Sequence, residues 1–205
     1  DQETARIGQL APSSQLEGLL IRRLWGREAV SEPFRFELEV AARDIELPLD
    51  GMLGRSVTFL LLMADDRPRY VNGVVAAMRH ESADLTGAVY RLQLVPWFSL
   101  LRHRTDCRVF QDLTVPEIVA RVFEPYQFAD FEPRLDGEYQ PRLHCVQYRE
   151  SDHDFVARLL EEEGIAYHFE HEDGRHVMVL VDSPQRREPC PDQPTVLYRT
   201  ADQAA

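Results

Sequence analysis

Ser151, Asp152 and His153 are the residue types of a hydrolase relay, in which a base takes the proton of a hydroxyl nucleophile while a carboxylate orients the base. Their spacing defeats that chemistry. Adjacent positions on a helix point about 100° apart, so the three side chains cannot line up, and the reading that fits is a helix cap followed by two solvated residues. His171 and His176 bracket HEDGRH, which resembles the zinc-protease motif. The spacing is one residue too long and the stretch reads as a hairpin turn, so the two imidazoles are expected on the surface and on different faces. Carboxylates are plentiful at Asp152, Asp154 and Glu161 to Glu163, yet a glycosidase pair needs a cleft that opposes two of them. Nothing in the sequence supplies that cleft. Gly73 and Gly87 are isolated, so no phosphate-cradling loop is present. Trp25, Trp97 and Tyr148 have the flat faces of carbohydrate platforms, with core or interface packing as the simpler use. No residue is assigned to catalysis, to a metal or to a cofactor.

The elements that carry these residues are readable from Gln147 to Glu170, a strand, a capped helix and a strand without a gap. Ser151 occupies the N-cap position with Asp154 three residues on. Phe155, Val156, Leu159 and Leu160 form one apolar stripe on a helix from Asp152 to Glu163, and Gly164 stands at its C-cap. Ile165, Tyr167 and Phe169 then alternate with polar neighbours, Glu172 to Gly174 turns the chain, and His176 to Val181 returns as a more buried strand. Glu161 to Glu163 oppose the helix macrodipole. Either they form a solvated acidic face partly offset by Arg158, or a basic surface on another segment or subunit meets them.

Upstream, Phe34, Phe36, Leu38 and Val40 alternate with charged residues as a one-sided strand entered at Pro33, after a Leu- and Ile-rich run from Leu16 to Trp25. Pro48 to Leu53 reads as a short turn or a single helical turn, Val57 to Met63 as a buried strand, and Asp65 to Pro68 as the loop behind it. Tyr70 to Met78 and Ala88 to Val95 read as a hairpin joined by a polar stretch. At least five closely spaced strands argue for an antiparallel barrel or sandwich. The pattern changes at Pro96. Trp97 to Leu101 reads as a short helix, and Thr114 with Glu117 opens a capped helix carrying Ile118, Val119, Val122 and Phe123, stapled by Leu113 and ended by Pro125. Gln127 to Pro141 reads as a surface loop and His144 to Arg149 as a strand. After Asp182 the composition is that of a linker or tail.

The 205 residues carry a formal charge of −12, with 44% hydrophobic and 28% charged residues. That is an ordinary globular composition and a poor one for tracking phosphates, so no nucleic acid is expected as a partner. Arg102, Arg104 and Arg108, interrupted by Asp106, read as an ion-pair face. Cys107, Cys145 and Cys190 are widely spaced and expected as reduced thiols. No apolar run is long enough to cross a bilayer, and the first ten residues lack the features of a secretory signal peptide.

The stretches CVQYRESDHDFVARLLEEEGIAYHFEHEDGRHVMVLVDSP (Cys145 to Pro184), DCRVFQDLTVPEIV (Asp106 to Val119), LGRSVTFLL (Leu53 to Leu61) and YRLQLVPWFSLL (Tyr90 to Leu101) resemble, in order, the N-terminal region of the VgrG family. VgrG proteins are trimeric spikes at the tip of the bacterial type VI secretion apparatus, similar to the baseplate hub of contractile phage tails. The resemblance implies an α+β fold of hub type: a mainly antiparallel β-barrel-like subdomain with an α/β insertion. Placed on this chain, it gives a barrel subdomain over 1–96, an α/β subdomain over 97–183 and a Pro-rich linker or tail over 184–205. It implies a structural protein rather than an enzyme, folded in the bacterial cytoplasm and secreted by the type VI apparatus without a signal peptide. The implied partners are its own copies in a full-length homotrimer, an Hcp-like hexameric tube, downstream spike segments with a tip protein, and effectors. The family continues into a second barrel and a spike, which this chain is expected to lack, leaving it monomeric or weakly associated. The other class of function is a tail-tip cell-wall hydrolase or a fused effector.

Overall fold

The computed structural model describes residues 8–14, 19–42, 51–62, 68–84 and 87–183. In β3 (Glu32–Ala42) the inward positions Phe34, Phe36, Leu38, Val40 and Ala42 are buried, and a sheet is built around that strand. β3 pairs with β2 (Leu19–Ala29) and β6 (Gly87–Val95), β6 with β5 (Pro68–Asp84), β5 with β4 (Ser56–Leu62), and β4 with β1 (Gly8–Leu10). Every pair is antiparallel, and the order is β1-β4-β5-β6-β3-β2. The sheet curls on itself: a Cβ at Gly8 on one edge strand would lie 3.9 Å from Cδ1 of Ile21 on the other. Leu38, Val40, Val57, Phe59, Leu92 and Leu94 fill the interior. β5 continues well past Met78, and bulges between Val75 and Ala77 and between His80 and Ser82 let it bend with the curl. Leu16, Asp65 to Arg67, the proline-rich tail and Cys190 lie outside the described residues, as does the start of the turn expected at Pro48.

Beyond Pro96 a second apolar cluster forms around helices α1 (Trp97–Leu100), α2 (Val115–Phe123) and α3 (Asp152–Glu162). Phe155, Val156, Leu159 and Leu160 of α3 are essentially inaccessible, each contributing roughly 1.5–3 kcal/mol of burial before entropy is charged against it. Both expected caps form. Ser151 Oγ accepts the Asp154 N–H at 3.0 Å, while Thr114 and Glu117 exchange a capping box, with the Thr114 N–H donating to the Glu117 carboxylate at 2.8 Å. Gly164 sits in the left-handed region at φ 70°, ending α3 as its position predicts.

Two strands were not legible. β7 (Thr105–Phe110) pairs antiparallel with β9 (Cys145–Ser151) in a two-stranded ribbon, its apolar alternation hidden by Asp106 and Arg108. β8 (Phe131–Arg134) lies inside the segment read as a surface loop, and it pairs parallel to β11 (Arg175–Val181), which pairs antiparallel with β10 (Ala166–Glu172). Pro133 is tolerated because β8 is an edge strand. Among the described residues no helix is long and apolar enough to cross a membrane.

Candidate functional site

Ser151, Asp152 and His153 do not form a relay, but the expectation that the last two are solvated is wrong. Asp152 is 0% exposed and His153 5%. The Asp152 carboxylate is the meeting point of three elements: it accepts from the Arg108 guanidinium on β7, from Nε2 of Gln147 on β9 at 2.8 Å, and from the hydroxyl of Tyr126, beyond α2, at 2.5 Å. Its backbone N–H donates to the Arg104 carbonyl at 3.0 Å. Burial, and then the bond to this carboxylate, push the Tyr126 hydroxyl up to about 12. Arg104 and Arg108 also pair with Asp106, as expected of an ion-pair face, while Arg102 lies against His153. His153 packs its ring against Phe98 at 4.5 Å and lies between Arg102, 3.3 Å from Nε2, and Asp154, 2.9 Å from Nδ1. Burial holds its basicity below the ordinary imidazole value against the pull of Asp154. These are the bonds of a structural clamp. Ser151 Oγ is occupied by its cap.

His171 and His176 overturn a second expectation. They are directly opposed across the β10–β11 hairpin, share one face with ring centroids 6.1 Å apart, and are buried. The reason is tertiary: the hairpin lies across the outer face of β5, where Asn72 is buried. His176 Nδ1 is 2.7 Å from Asn72 Oδ1, and Nε2 accepts the Trp97 N–H at 2.8 Å. His171 Nδ1 faces the Asn72 main chain, 3.2 Å from N and 3.1 Å from O, and its Nε2 reaches Glu28 at 3.0 Å. The Asn72 amide donates to Thr58 Oγ1 at 2.8 Å and Ser56 Oγ at 2.9 Å, and the Gly174 N–H at the hairpin turn donates to Thr58 Oγ1 at 3.1 Å. At the tip, Ser13 donates to Asp173. His171 holds Glu28 below the usual carboxylate range with Arg69, against the opposing effect of burial. The readable signal was Asn72 itself, a lone amide in the otherwise apolar or glycine run from Val71 to Ala77.

The acidic end of α3 is met by another segment of the chain: Arg142 reaches Glu162 at 2.7 Å and Glu163 at 2.6 Å, and Arg158 reaches Glu162 at 3.0 Å. Both readings hold in part: Glu161 and Glu162 are exposed with Arg158 offsetting them, and Arg142 from another segment meets Glu162 and Glu163. Trp97 is a core residue, whereas Trp25 and Tyr148 are exposed, Tyr148 beside Val109 and Val146 on the outer side of the β7–β9 ribbon. Cys107 and Cys145 are free thiols. Among the described residues no group of three or more His, Cys, Asp or Glu is placed to hold a metal ion.

Comparison with known proteins places this architecture. The sequence matches the family described as phage tail baseplate hub (GPD) over residues 27–205. It is 42% identical over 182 residues to the type VI secretion system spike protein VgrG1b of Pseudomonas aeruginosa, covering 89% of this chain and 25% of that protein. It is 32% identical to a protein of Vibrio cholerae named actin cross-linking toxin VgrG1, over 91% of this chain and 18% of that one. The chain thus spans a quarter or less of these curated relatives. Its fold resembles an E. coli component of the type VI secretion system described as structurally similar to the T4 bacteriophage tail proteins gp27 and gp5. The TM-score is 0.73 and the identity 29%, over 83% of this chain and 50% of that one.

Proposed function

Because the chain belongs to the phage tail baseplate hub family, we propose that it is the hub part of a type VI secretion spike protein, a structural piece and not an enzyme. The observation that carries this reading is the 42% identity to a named spike protein over nearly the whole chain. The bonding of Ser151, Asp152, His153, His171 and His176 supports it, since Ser151 caps α3 and the other four are engaged in bonds between elements. In this reading residues 1–96 are a barrel subdomain, 97–183 an α/β subdomain and 184–205 a linker. The full-length protein is a homotrimer that caps a tube of Hcp-like hexamers, carries a spike and its tip protein, and helps deliver effectors. It folds in the bacterial cytoplasm and leaves through the type VI apparatus without a signal peptide. The test is to delete this segment from the full-length protein in a bacterium with a working type VI apparatus. Export of the tube protein should stop, and undiminished export would overturn the proposal.

The second reading, an attached enzyme, is favoured only by the relative named as a toxin. If it held for this segment, the purified chain would release fragments from cell-wall material.

A further inference from the structure

Geometry holds His176 in one protonation state. Its Nε2 accepts the Trp97 N–H, so that nitrogen carries no proton, and Nδ1 must be the N–H that donates to Asn72 Oδ1. A second proton could enter only at Nε2, where it would point at the Trp97 N–H. The ring is walled by Phe34 at 5.4 Å and Phe169 at 6.0 Å. The element α1 offers it only a backbone donor and β5 a neutral amide. The titratable and charged groups on its side are His171 on β10 and, behind His171, Glu28 of β2 with its partner Arg69 of β5. Glu28 bonds His171, so no carboxylate is bonded to His176 to welcome a positive charge.

His171 is built differently. Its Nδ1 is within reach of both the N–H and the carbonyl of Asn72, so a neutral ring accepts, a charged ring donates, and Nε2 keeps Glu28 in either state. Tyr167, Met178 and Leu180 of the hairpin are buried in the helical core, which Val74 of β5 also joins, so the hairpin belongs with the helices. Toward the barrel it sets Phe169, which packs against both clusters and meets Phe34, beside the polar bonds to Asn72 and Thr58.

We propose that His176 is an acid-sensitive latch between the β10–β11 hairpin and the barrel: its protonation breaks the bond to the Trp97 N–H and loosens the hairpin's hold on β5, while the interiors of the barrel and of the helical core keep their own packing. The sign follows from where the proton is wanted. Burial, with the neighbouring His171, lowers the docked ring from 6.5 to about 3, so the released state binds the proton. Docking is at full strength above pH 6.5 and weakens tenfold per pH unit as the pH falls toward 3.

Amide hydrogen exchange of this chain between pH 7.5 and 4, corrected for intrinsic rates, tests the latch. Protection of the Trp97 and Gly174 amides, which donate across the contact, should fall about tenfold per unit below pH 6.5, with amides inside β3 and α3 unaffected. His176→Gln retains an acceptor for Trp97 and cannot titrate, so its protection should be flat with pH down to the carboxylate range, where Glu28 begins to protonate, while His171→Gln should keep the slope. A flat profile in the parent, a slope that survives His176→Gln, or loss of β3 and α3 protection in step with Trp97 would each overturn the proposal. Should His176→Gln not fold, the imidazole nitrogen shifts of the parent decide. They should report a neutral ring in the docked form and a charged one as Trp97 opens. A ring still neutral after Trp97 has opened would refute it.

Discussion

Replacing Asp152 by Ala removes the acceptor of Arg108, Gln147 and Tyr126 at once. Taking one partner from a buried ion pair costs about 3–5 kcal/mol, and a buried donor left without an acceptor costs about 1–3 kcal/mol. These figures overlap, because Arg108 keeps 21% of its side chain exposed and has Asp106 at 3.7 Å as a second carboxylate. The charge can therefore turn outward, leaving Gln147, fully buried, and the Tyr126 hydroxyl as the main losses. A total of about 3–4 kcal/mol is expected for Asp152→Ala. Asp152→Asn retains shape and one acceptor oxygen and should cost less, about 1.5–3 kcal/mol. Urea unfolding followed by tryptophan fluorescence suits the question, since Trp97 is buried in the helical core and Trp25 is already exposed. With a slope of about 2 kcal/mol per molar urea, the Ala midpoint should drop by about 1.5–2 M. A midpoint within about 0.3 M of the parent would show that the carboxylate is not the tie between β7, β9 and α2 described above.

Two further outcomes can be read in the same assay. Ser151→Ala should cost about 1 kcal/mol and Ser151→Gly only a few tenths, because a single bond to the Asp154 N–H is at stake; equal midpoints for parent and Ala would reject the cap. Gly26 on β2 lies under the ring of Phe36, and an added Cβ would fall 2.0 Å from that ring. Gly26→Ala should therefore destabilise by about 1–3 kcal/mol through overpacking, and an unchanged far-UV circular dichroism midpoint would mean the ring moves aside freely.

What could be read from the sequence was local. The caps at Ser151 and Thr114, the stop at Gly164 and the alternation of β3 each depend on residues within a few positions of one another, and each is present. What could not be read depends on distant partners. Asp152 and His153 look like solvated residues until β7, α1 and the end of α2 are folded against α3. His176 looks like a turn residue until Asn72, 104 positions earlier, supplies its partner. β8 was missed because parallel pairing leaves no hairpin signal and Pro133 argues against a strand. The acidic end of α3 could not be matched to Arg142, which lies 20 residues upstream in a segment that reads as loop.

The buried Asn72 has a consequence for the order in which the chain can finish folding as it is made. All six strands of the curled sheet precede Pro96, so that sheet can assemble once Val95 has emerged. The partners that bury Asn72, His171 and His176, follow it by 99 and 104 residues. At roughly 5–20 residues per second of synthesis, a gap of that size is on the order of 5–20 s. During that interval the outer face of β5 presents a wet amide beside apolar strand surface to whatever else is in the cell. The hydrogen bonds from Asn72 to Ser56 and Thr58 come from the preceding strand β4 and are available throughout. They occupy the donors of the amide early and leave its carbonyl oxygen for the last hairpin to arrive.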